Sequence, residues 1–143
     1  MGHTDTDVYA VDVATGQTVN LTPHEGKIIN SASSLSPDGK TLLITSNQKG
    51  GYENVALLDI ATKQLTWVTD TKWQAAAGDF SPSGKSFTYG LNADGLTDVY
   101  LADAKTLRAT KIPRGCPISA NLSFFPFRVC QLPLSPFREQ SGK

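Results

Sequence analysis

Asp7-Val8-Tyr9-Ala10-Val11-Asp12 is the first of three copies of one strand-and-turn phrase in this chain. The other copies are Asn54-Val55-Ala56-Leu57-Leu58-Asp59 and Asp98-Val99-Tyr100-Leu101-Ala102-Asp103, and the closing aspartates lie 47 and then 44 residues apart. A turn phrase keeps the same interval, because Ser36-Pro37-Asp38-Gly39-Lys40 and Ser81-Pro82-Ser83-Gly84-Lys85 start 45 residues apart. A period in this range is typical of four-stranded propeller blades. The sequence therefore predicts an all-β fold made of β-propeller blades.

The repeat predicts about two and a half four-stranded antiparallel blades, which is an incomplete propeller. The half blade covers residues 7–22, with strands at 7–13 and 17–21. The first whole blade covers residues 28–69, with strands at 28–35, 40–46, 54–60 and 64–69. The second covers residues 73–113, with strands at 74–80, 85–90, 98–102 and 108–112, and with residues 92–95 as a loop. Residues 1–113 thus form a partial propeller.

The predicted strands are apolar on both faces, as strands packed between two neighbouring layers are. Leu42, Leu43 and Ile44 follow one another directly in one such strand. Asp12, Asp59 and Asp103 close the repeated phrase, and we expect each carboxylate to accept backbone N–H groups of the following turn. Equivalent positions in three blades lie far apart in space, so these aspartates do not predict a metal site.

Composition divides the chain at residue 113. The whole chain has 13 basic and 13 acidic residues, so no net charge indicates nucleic acid or an acidic membrane surface. Residues 114–143 are rich in Pro, Phe and Arg, have Glu139 as their one acidic residue, and lack both repeated phrases. This break predicts a foreign or out-of-frame tail. Its Cys116 and Cys130 fit either a loop disulfide or two free thiols, and their spacing is not that of a metal site.

Targeting signals are not evident in the sequence. Residues 1–20 lack the order of a signal peptide, and no apolar run has the length of a membrane-spanning helix. The sequence does not determine the native compartment, and the alternatives are a cytoplasmic and a periplasmic parent protein.

The repeated phrases, together with Asn20-Leu21-Thr22, resemble the WD-like propeller repeat of TolB-type proteins. The same repeat forms the N-terminal propeller of prolyl oligopeptidase-family serine peptidases. The resemblance implies a non-catalytic scaffold or substrate-gating module of a larger prolyl oligopeptidase-like hydrolase. The alternative is a TolB-like protein–protein interaction propeller with no enzymatic partner domain.

No residue of the chain is expected to be catalytic, to bind a cofactor or to bind a metal. The peptidase relatives carry their nucleophile in a Gly-x-Ser-x-Gly elbow on a separate domain. The nearest match here, Gly84-Lys85-Ser86-Phe87-Thr88, lacks the second glycine. We therefore expect no peptidase or esterase activity from this chain.

Three residues are candidate contacts on the loop face of the propeller: His24, Glu25 and Trp73. His24 is either a contact at the channel mouth or an exposed loop histidine, and Trp73 either stacks on a ligand or fills space between blades. The partners expected are a hydrolase domain or partner protein in the parent, and further copies of this chain. Nucleic acid and membrane are not expected partners.

Overall fold

The computed structural model describes residues 4–113, which form ten strands in three antiparallel sheets and contain no helix. The half blade, blade 1, pairs β1 (Tyr9–Val11) with β2 (Thr18–Asn20). Blade 2 has the order β3 (Asn30–Leu35), β4 (Thr41–Ser46), β5 (Asn54–Asp59) and β6 (Leu65–Trp67). Blade 3 has the order β7 (Gln74–Phe80), β8 (Ser86–Ala93), β9 (Leu96–Asp103) and β10 (Ala109–Lys111). The predicted all-β fold with two four-stranded meanders is confirmed.

The hairpin between β8 and β9 is longer than predicted, and the loop expected at residues 92–95 is wrong. The two strands pair as far as Ala93 and Leu96, which leaves a turn of two residues. Asp94 and Gly95 both have positive φ, at 54° and 79°. Such a two-residue turn matches the twist of the flanking strands, so the pairing continues to its edge.

Blade 2 is the centre of the structure, and its alternating side chains build a core on each side. Leu43, Val55 and Leu57 face blade 3, where Phe87 and Tyr89 pack against them. The opposite core consists of Leu21, Ile44, Ala56 and Leu58, with Val8 and Ala10 of blade 1 packed against it. Burying a side chain of this size contributes about 1.5–3 kcal/mol. The prediction that the strands are buried on both faces is confirmed for blade 2.

The three closing aspartates hold turns, as predicted. Asp12 Oδ1 accepts the backbone amides of Ala14 and Thr15 at 2.8 and 3.1 Å. Asp59 Oδ1 accepts a hydrogen bond from the amide of Thr62 at 2.9 Å. Asp103 Oδ1 accepts hydrogen bonds from the amides of the residues two and three positions after it. Because these backbone hydrogen bonds favour the ionised form, they lower the pKa of each carboxyl group below its usual value.

The first strands of blades 2 and 3 approach each other closely through small residues. Ser33 Oγ donates to the carbonyl oxygens of Ala77 and Gly78 at 3.0 and 2.7 Å, and Thr45 Oγ1 accepts the amide of Ala77 at 2.9 Å. A Cβ atom at Gly78 would lie 2.4 Å from Thr88 Oγ1, so only glycine fits there. Both first strands contain a bulge at the same place, at Ala32/Ser34 and Ala77/Phe80.

No helix long and apolar enough to cross a bilayer occurs in the part of the chain that the structure describes.

Candidate functional site

All three candidate contacts lie at one end of the blades, which we call the connection end. It comprises the links between blades, residues 21–29 and 68–73, and the turns between second and third strands, residues 47–53 and 94–95. In an antiparallel meander these segments share one end of the sheet, and the remaining turns lie at the other. His24 and Glu25 belong to the first link, and Trp73 belongs to the second.

His24 is not an exposed loop residue, and that alternative from the sequence is wrong. Its side chain is only 6% exposed. Nδ1 lies 2.9 Å from the carbonyl oxygen of Thr22 and 2.9 Å from Asp7 Oδ1, while Nε2 lies 2.8 Å from Asp5 Oδ1. Glu25, its neighbour in sequence, is exposed. The acidic partners of His24 are therefore Asp5 and Asp7, which precede β1.

Asp7 is itself part of a hydrogen-bond network that joins the two strands of blade 1. Asn20 Nδ2 donates to Asp7 Oδ2 at 2.9 Å, and Thr22 Oγ1 donates to Asp7 Oδ1 at 3.1 Å. Thr22 Oγ1 also accepts the amide of Val8 at 2.9 Å. The hydrogen bond from Asn20 is the main cause that lowers the pKa of Asp7, and the nearby His24 adds to it.

Blade 2 repeats this arrangement with an amide in place of the carboxylate. Thr69 Oγ1 donates to Asn54 Oδ1 at 2.8 Å and accepts the amide of Val55 at 2.9 Å. Asn54 Oδ1 also accepts the amide of Thr71 at 2.9 Å. Asn54 is the equivalent of Asp7 in the repeated phrase, and Thr71 stands where His24 stands in blade 1. Each link between blades is thus tied to the start of the preceding third strand.

Trp73 borders an open hollow of about 450 Å³ at the connection end, between blades 2 and 3. Its rim also includes Tyr52, Lys72, Asn92 and Asp94. Trp73 is 48% exposed and Tyr52 is 45% exposed. The expectation that Trp73 fills space between blades is therefore wrong, whereas Trp67 packs against the core shared by blades 1 and 2.

The backbone of Trp73 is held in place from the buried core. Its amide donates to Thr71 Oγ1 at 3.0 Å, and Thr71 Oγ1 lies 3.1 Å from its carbonyl oxygen. Thr71 is in turn fixed by Asn54, which is fully buried. On the opposite rim Asp94 lies in the tight turn of the β8–β9 hairpin. The hollow is therefore bordered by backbone of defined conformation on both sides.

A second open hollow, of about 470 Å³, lies along the outer edge of blade 2. Lys49 Nζ lies 5.9 Å from the ring centroid of Trp67 and 3.0 Å from Asp70 Oδ2. Because Lys49 already contacts an aromatic ring and an exposed carboxylate, we do not expect it to bind an anion in this hollow. Within residues 4–113 no group of three or more His, Cys, Asp and Glu side chains could hold a metal ion.

Comparison with known proteins identifies the kind of blade. The chain is 30% identical over 118 residues to the Tol-Pal system protein TolB of Francisella tularensis, and the match covers 80% of this chain and 25% of that protein. The crystal structure of TolB from Acinetobacter baumannii matches with a TM-score of 0.58 and 25% identity, over 73% of this chain and 26% of that one. These are TolB-type propeller blades.

The TolB-type fold is also found outside TolB itself. An oligogalacturonate lyase from Vibrio parahaemolyticus matches with a TM-score of 0.52 and 25% identity, over 74% of this chain and 28% of that one. No model of a known protein family matches the sequence. The chain spans about a quarter of the length of the TolB relatives named above. The comparisons therefore identify the blades, and the TolB-type resemblance found in the sequence is confirmed.

Proposed function

We propose that this chain is part of a non-catalytic, TolB-like propeller that binds a partner protein through its connection end. The observation that carries the proposal is the pair of half-exposed aromatic side chains, Trp73 and Tyr52, at the rim of one hollow. Aromatic anchors of this kind supply a large share of the binding energy at protein interfaces. Lys72, Asn92 and Asp94 add a polar rim, as such interfaces have.

The absence of catalysis is part of the proposal, and the geometry of His24 supports it. A general base needs a ring nitrogen that can take a proton from a substrate. Both nitrogens of His24 face acceptors within 3 Å, namely Thr22, Asp7 and Asp5. The lyase named above has the same fold, so fold alone does not decide between an enzyme and a binding module.

The gating role in a prolyl oligopeptidase-like hydrolase stays a prediction. The sequence of the parent protein beyond this chain would test the gating role. A Gly-x-Ser-x-Gly elbow there would favour the hydrolase, and an end after the last blade would favour the interaction propeller.

Binding measurements test the proposed interaction. The chain is immobilised and purified components of a Tol-Pal system are passed over it, because that system is named in the relatives' description. We expect one component to bind and Trp73→Ala to weaken the affinity about 30-fold, the scale of an interface hot spot of about 2 kcal/mol. Tyr52→Ala should weaken it as well. Leu35→Ala is the matched control, since Leu35 is 52% exposed but ends β3 at the opposite end of blade 2. Failure of every component to bind, or equal binding by Trp73→Ala and the unchanged chain, would overturn the proposal.

A further inference from the structure

His24 has the contacts of a protonated imidazole. The groups facing its nitrogens are a carbonyl oxygen, of Thr22, and two carboxylates, of Asp5 and Asp7. A carbonyl or an ionised carboxylate can only accept a hydrogen bond. Both ring nitrogens therefore need to donate, which a neutral imidazole cannot do. The cationic ring satisfies all three contacts at once.

The contacts of His24 join segments that are distant in sequence. Asp5 and Asp7 belong to residues 4–8, the lead segment before β1, whereas His24 lies after β2. Thr6, between the two aspartates, forms an isolated parallel bridge with Ile29, and its amide donates to the carbonyl oxygen of Ile28 at 2.9 Å. The lead segment thus lies alongside the start of blade 2, and His24 packs against the lead segment.

Asn30, at the start of β3, fastens the lead segment from the other side. Its backbone amide nitrogen lies 2.9 Å from Thr6 Oγ1 and 3.1 Å from the Thr6 carbonyl oxygen. Thr6 Oγ1 in turn donates to the backbone carbonyl oxygen of Asn30 at 3.0 Å. Its side-chain nitrogen lies 3.4 Å from His24 Nδ1, beyond the usual range of a hydrogen bond. Asn30 is uncharged, so the charged groups that face the ring of His24 are Asp5 and Asp7 of the lead segment. The Asp5 side chain is 61% exposed and that of Asp7 is 25% exposed. From its own link, Thr22 contributes a neutral carbonyl, and Glu25 is exposed.

We propose that His24 is a pH-responsive latch that holds the lead segment onto the connection end of blade 2. Deprotonation would release the contact at Nε2 first, because Nδ1 retains two acceptors, Thr22 and Asp7. The bare Nε2 lone pair would then face the Asp5 carboxylate at 2.8 Å, and the two would repel each other. Asp5 would move away and residues 4–6 would loosen, while the Asp7 network with Asn20 and Thr22 stays closed.

The direction of the pH response follows from the pKa of His24. Its hydrogen bond to the Thr22 carbonyl, followed by that to Asp5, raises the pKa above the usual 6.5, and burial opposes this in part. A raised pKa means that the folded state binds the proton more tightly than the unfolded chain does. The stabilisation by the latch is therefore complete below about pH 6.5 and is lost as the pH rises through the raised pKa.

The test uses the full chain with His3→Gln, so that His24 is the remaining histidine. Nitrogen chemical shifts of the imidazole give its pKa, and amide hydrogen exchange at Thr6, corrected for the intrinsic pH dependence, reports the latch. We expect a pKa above 6.5 and a loss of protection at Thr6 as the pH passes through it. The loss should be about tenfold for each unit by which the pKa is raised.

Three variants separate the latch from general loosening. His24→Gln should abolish the pH step at Thr6, and Asp5→Asn should lower the pKa of His24 and reduce the step. Glu25→Gln is the matched control, because it removes an exposed carboxylate next to His24 and should leave both unchanged. A His24 pKa of 6.5 or less, or Thr6 protection that does not change across the titration, would overturn the proposal. If His24→Gln fails to fold, the comparison of Asp5→Asn with Glu25→Gln still decides, because equal behaviour of the two would overturn it.

Discussion

Single residues decide how closely neighbouring strands of this protein approach each other. Gly78 lies in the first strand of blade 3 with the backbone of Thr88 directly beside it, and Ser33 of blade 2 donates to the Gly78 carbonyl oxygen. A glycine in a strand weakens the strand, and it often marks a close approach of this kind. Glycine is therefore required here by the close approach of β7 to β8 within blade 3.

Gly78→Ala should destabilise the protein. The new Cβ would lie 2.4 Å from Thr88 Oγ1 and 2.8 Å from the Thr88 carbonyl oxygen, so the strands must separate. Overpacking of this kind costs about 1–3 kcal/mol, measured as the free energy of unfolding in urea. Gly90→Ala in the adjacent strand is the matched control, because its nearest contact would be at 3.7 Å. Equal stability of the two variants would show that the close contact at Gly78 is not rigid.

Asp59→Asn should lower the stability near neutral pH. Hydrogen bonding to the backbone of Thr62 lowers the pKa of Asp59, so its contribution is present above about pH 3.8, the usual value, and is lost as the pH falls through the lowered pKa. The difference between variant and parent should therefore shrink in acid. Urea unfolding at several pH values measures it, and Asp70→Asn, which removes an exposed ion pair with Lys49, should have little effect at any pH. A difference that does not change with pH would contradict this account of the turn.

Among the elements, the third and fourth strands of blades 1 and 2 are joined by a threonine whose position follows the sequence repeat. Asp7 and Asn54 open the repeated phrase, and Thr22 and Thr69 follow the fourth strands at the same spacing of 47 residues. In blade 3 the corresponding position is Pro113, which has no hydroxyl group. The threonine form of the connection is thus a property of blades 1 and 2, whereas in blade 3 Asp98 Oδ2 lies 2.9 Å from Lys111 Nζ of the fourth strand.

Thr69→Val should destabilise blade 2. It would leave both the amide of Val55 and Asn54 Oδ1 without the threonine hydroxyl, in a buried place. Losing a partner of a buried polar group costs about 1–3 kcal/mol. Thr66→Val is the matched control, since Thr66 is exposed in the adjoining strand. Thermal unfolding of both variants measures the difference, and a stability of Thr69→Val equal to that of Thr66→Val would contradict the assigned role.

The strand pattern could be predicted from the sequence, because it depends on local features. The repeated phrases and their short apolar runs predict the strands, and the turns at Gly39 and Gly84 separate them. The sequence predicts too long a loop between β8 and β9, because Asp94 and Gly95 alone suffice for the turn.

The candidate site was harder to predict, because its contacts are long-range. His24 contacts Asp5, which lies 19 residues away in sequence. The exposed Glu25 stays a candidate contact. A signal did exist for Asp7, which stands first in the repeated phrase where Asn54 and Asp98 also stand. The sequence does not indicate that Trp73 is exposed, because an aromatic residue at the end of a link between blades can lie in a core or on a surface.

For the whole molecule, the order of blades leaves sheet faces uncovered among the described residues. Blade 1 packs Val8 and Ala10 against blade 2, and it turns Tyr9 and Val11 outward, where they are 56% and 57% exposed. The free edge of β1 is also unpaired within residues 4–113. Exposed apolar faces and open strand edges both favour association with another chain. The predicted foreign or out-of-frame tail, residues 114–143, lies outside the described residues.

We expect the purified chain to self-associate, and two or three copies would supply the five to eight blades of a closed ring. A closed symmetric assembly is the usual form of soluble homo-oligomers. Val11→Lys places a charge on the uncovered face and should shift the population towards smaller species. Val13→Lys is the matched control, because Val13 is 98% exposed in the turn after β1 and should leave the assembly unchanged.

The measurement that tests the open array of TolB-type blades most directly is light scattering coupled to size exclusion, at micromolar concentration. The chain has a mass of 15.3 kDa. We predict a species of at least twice that mass, which Val11→Lys reduces and Val13→Lys does not. A single species of one chain mass that does not change with concentration would contradict it, since the uncovered faces would then need no partner.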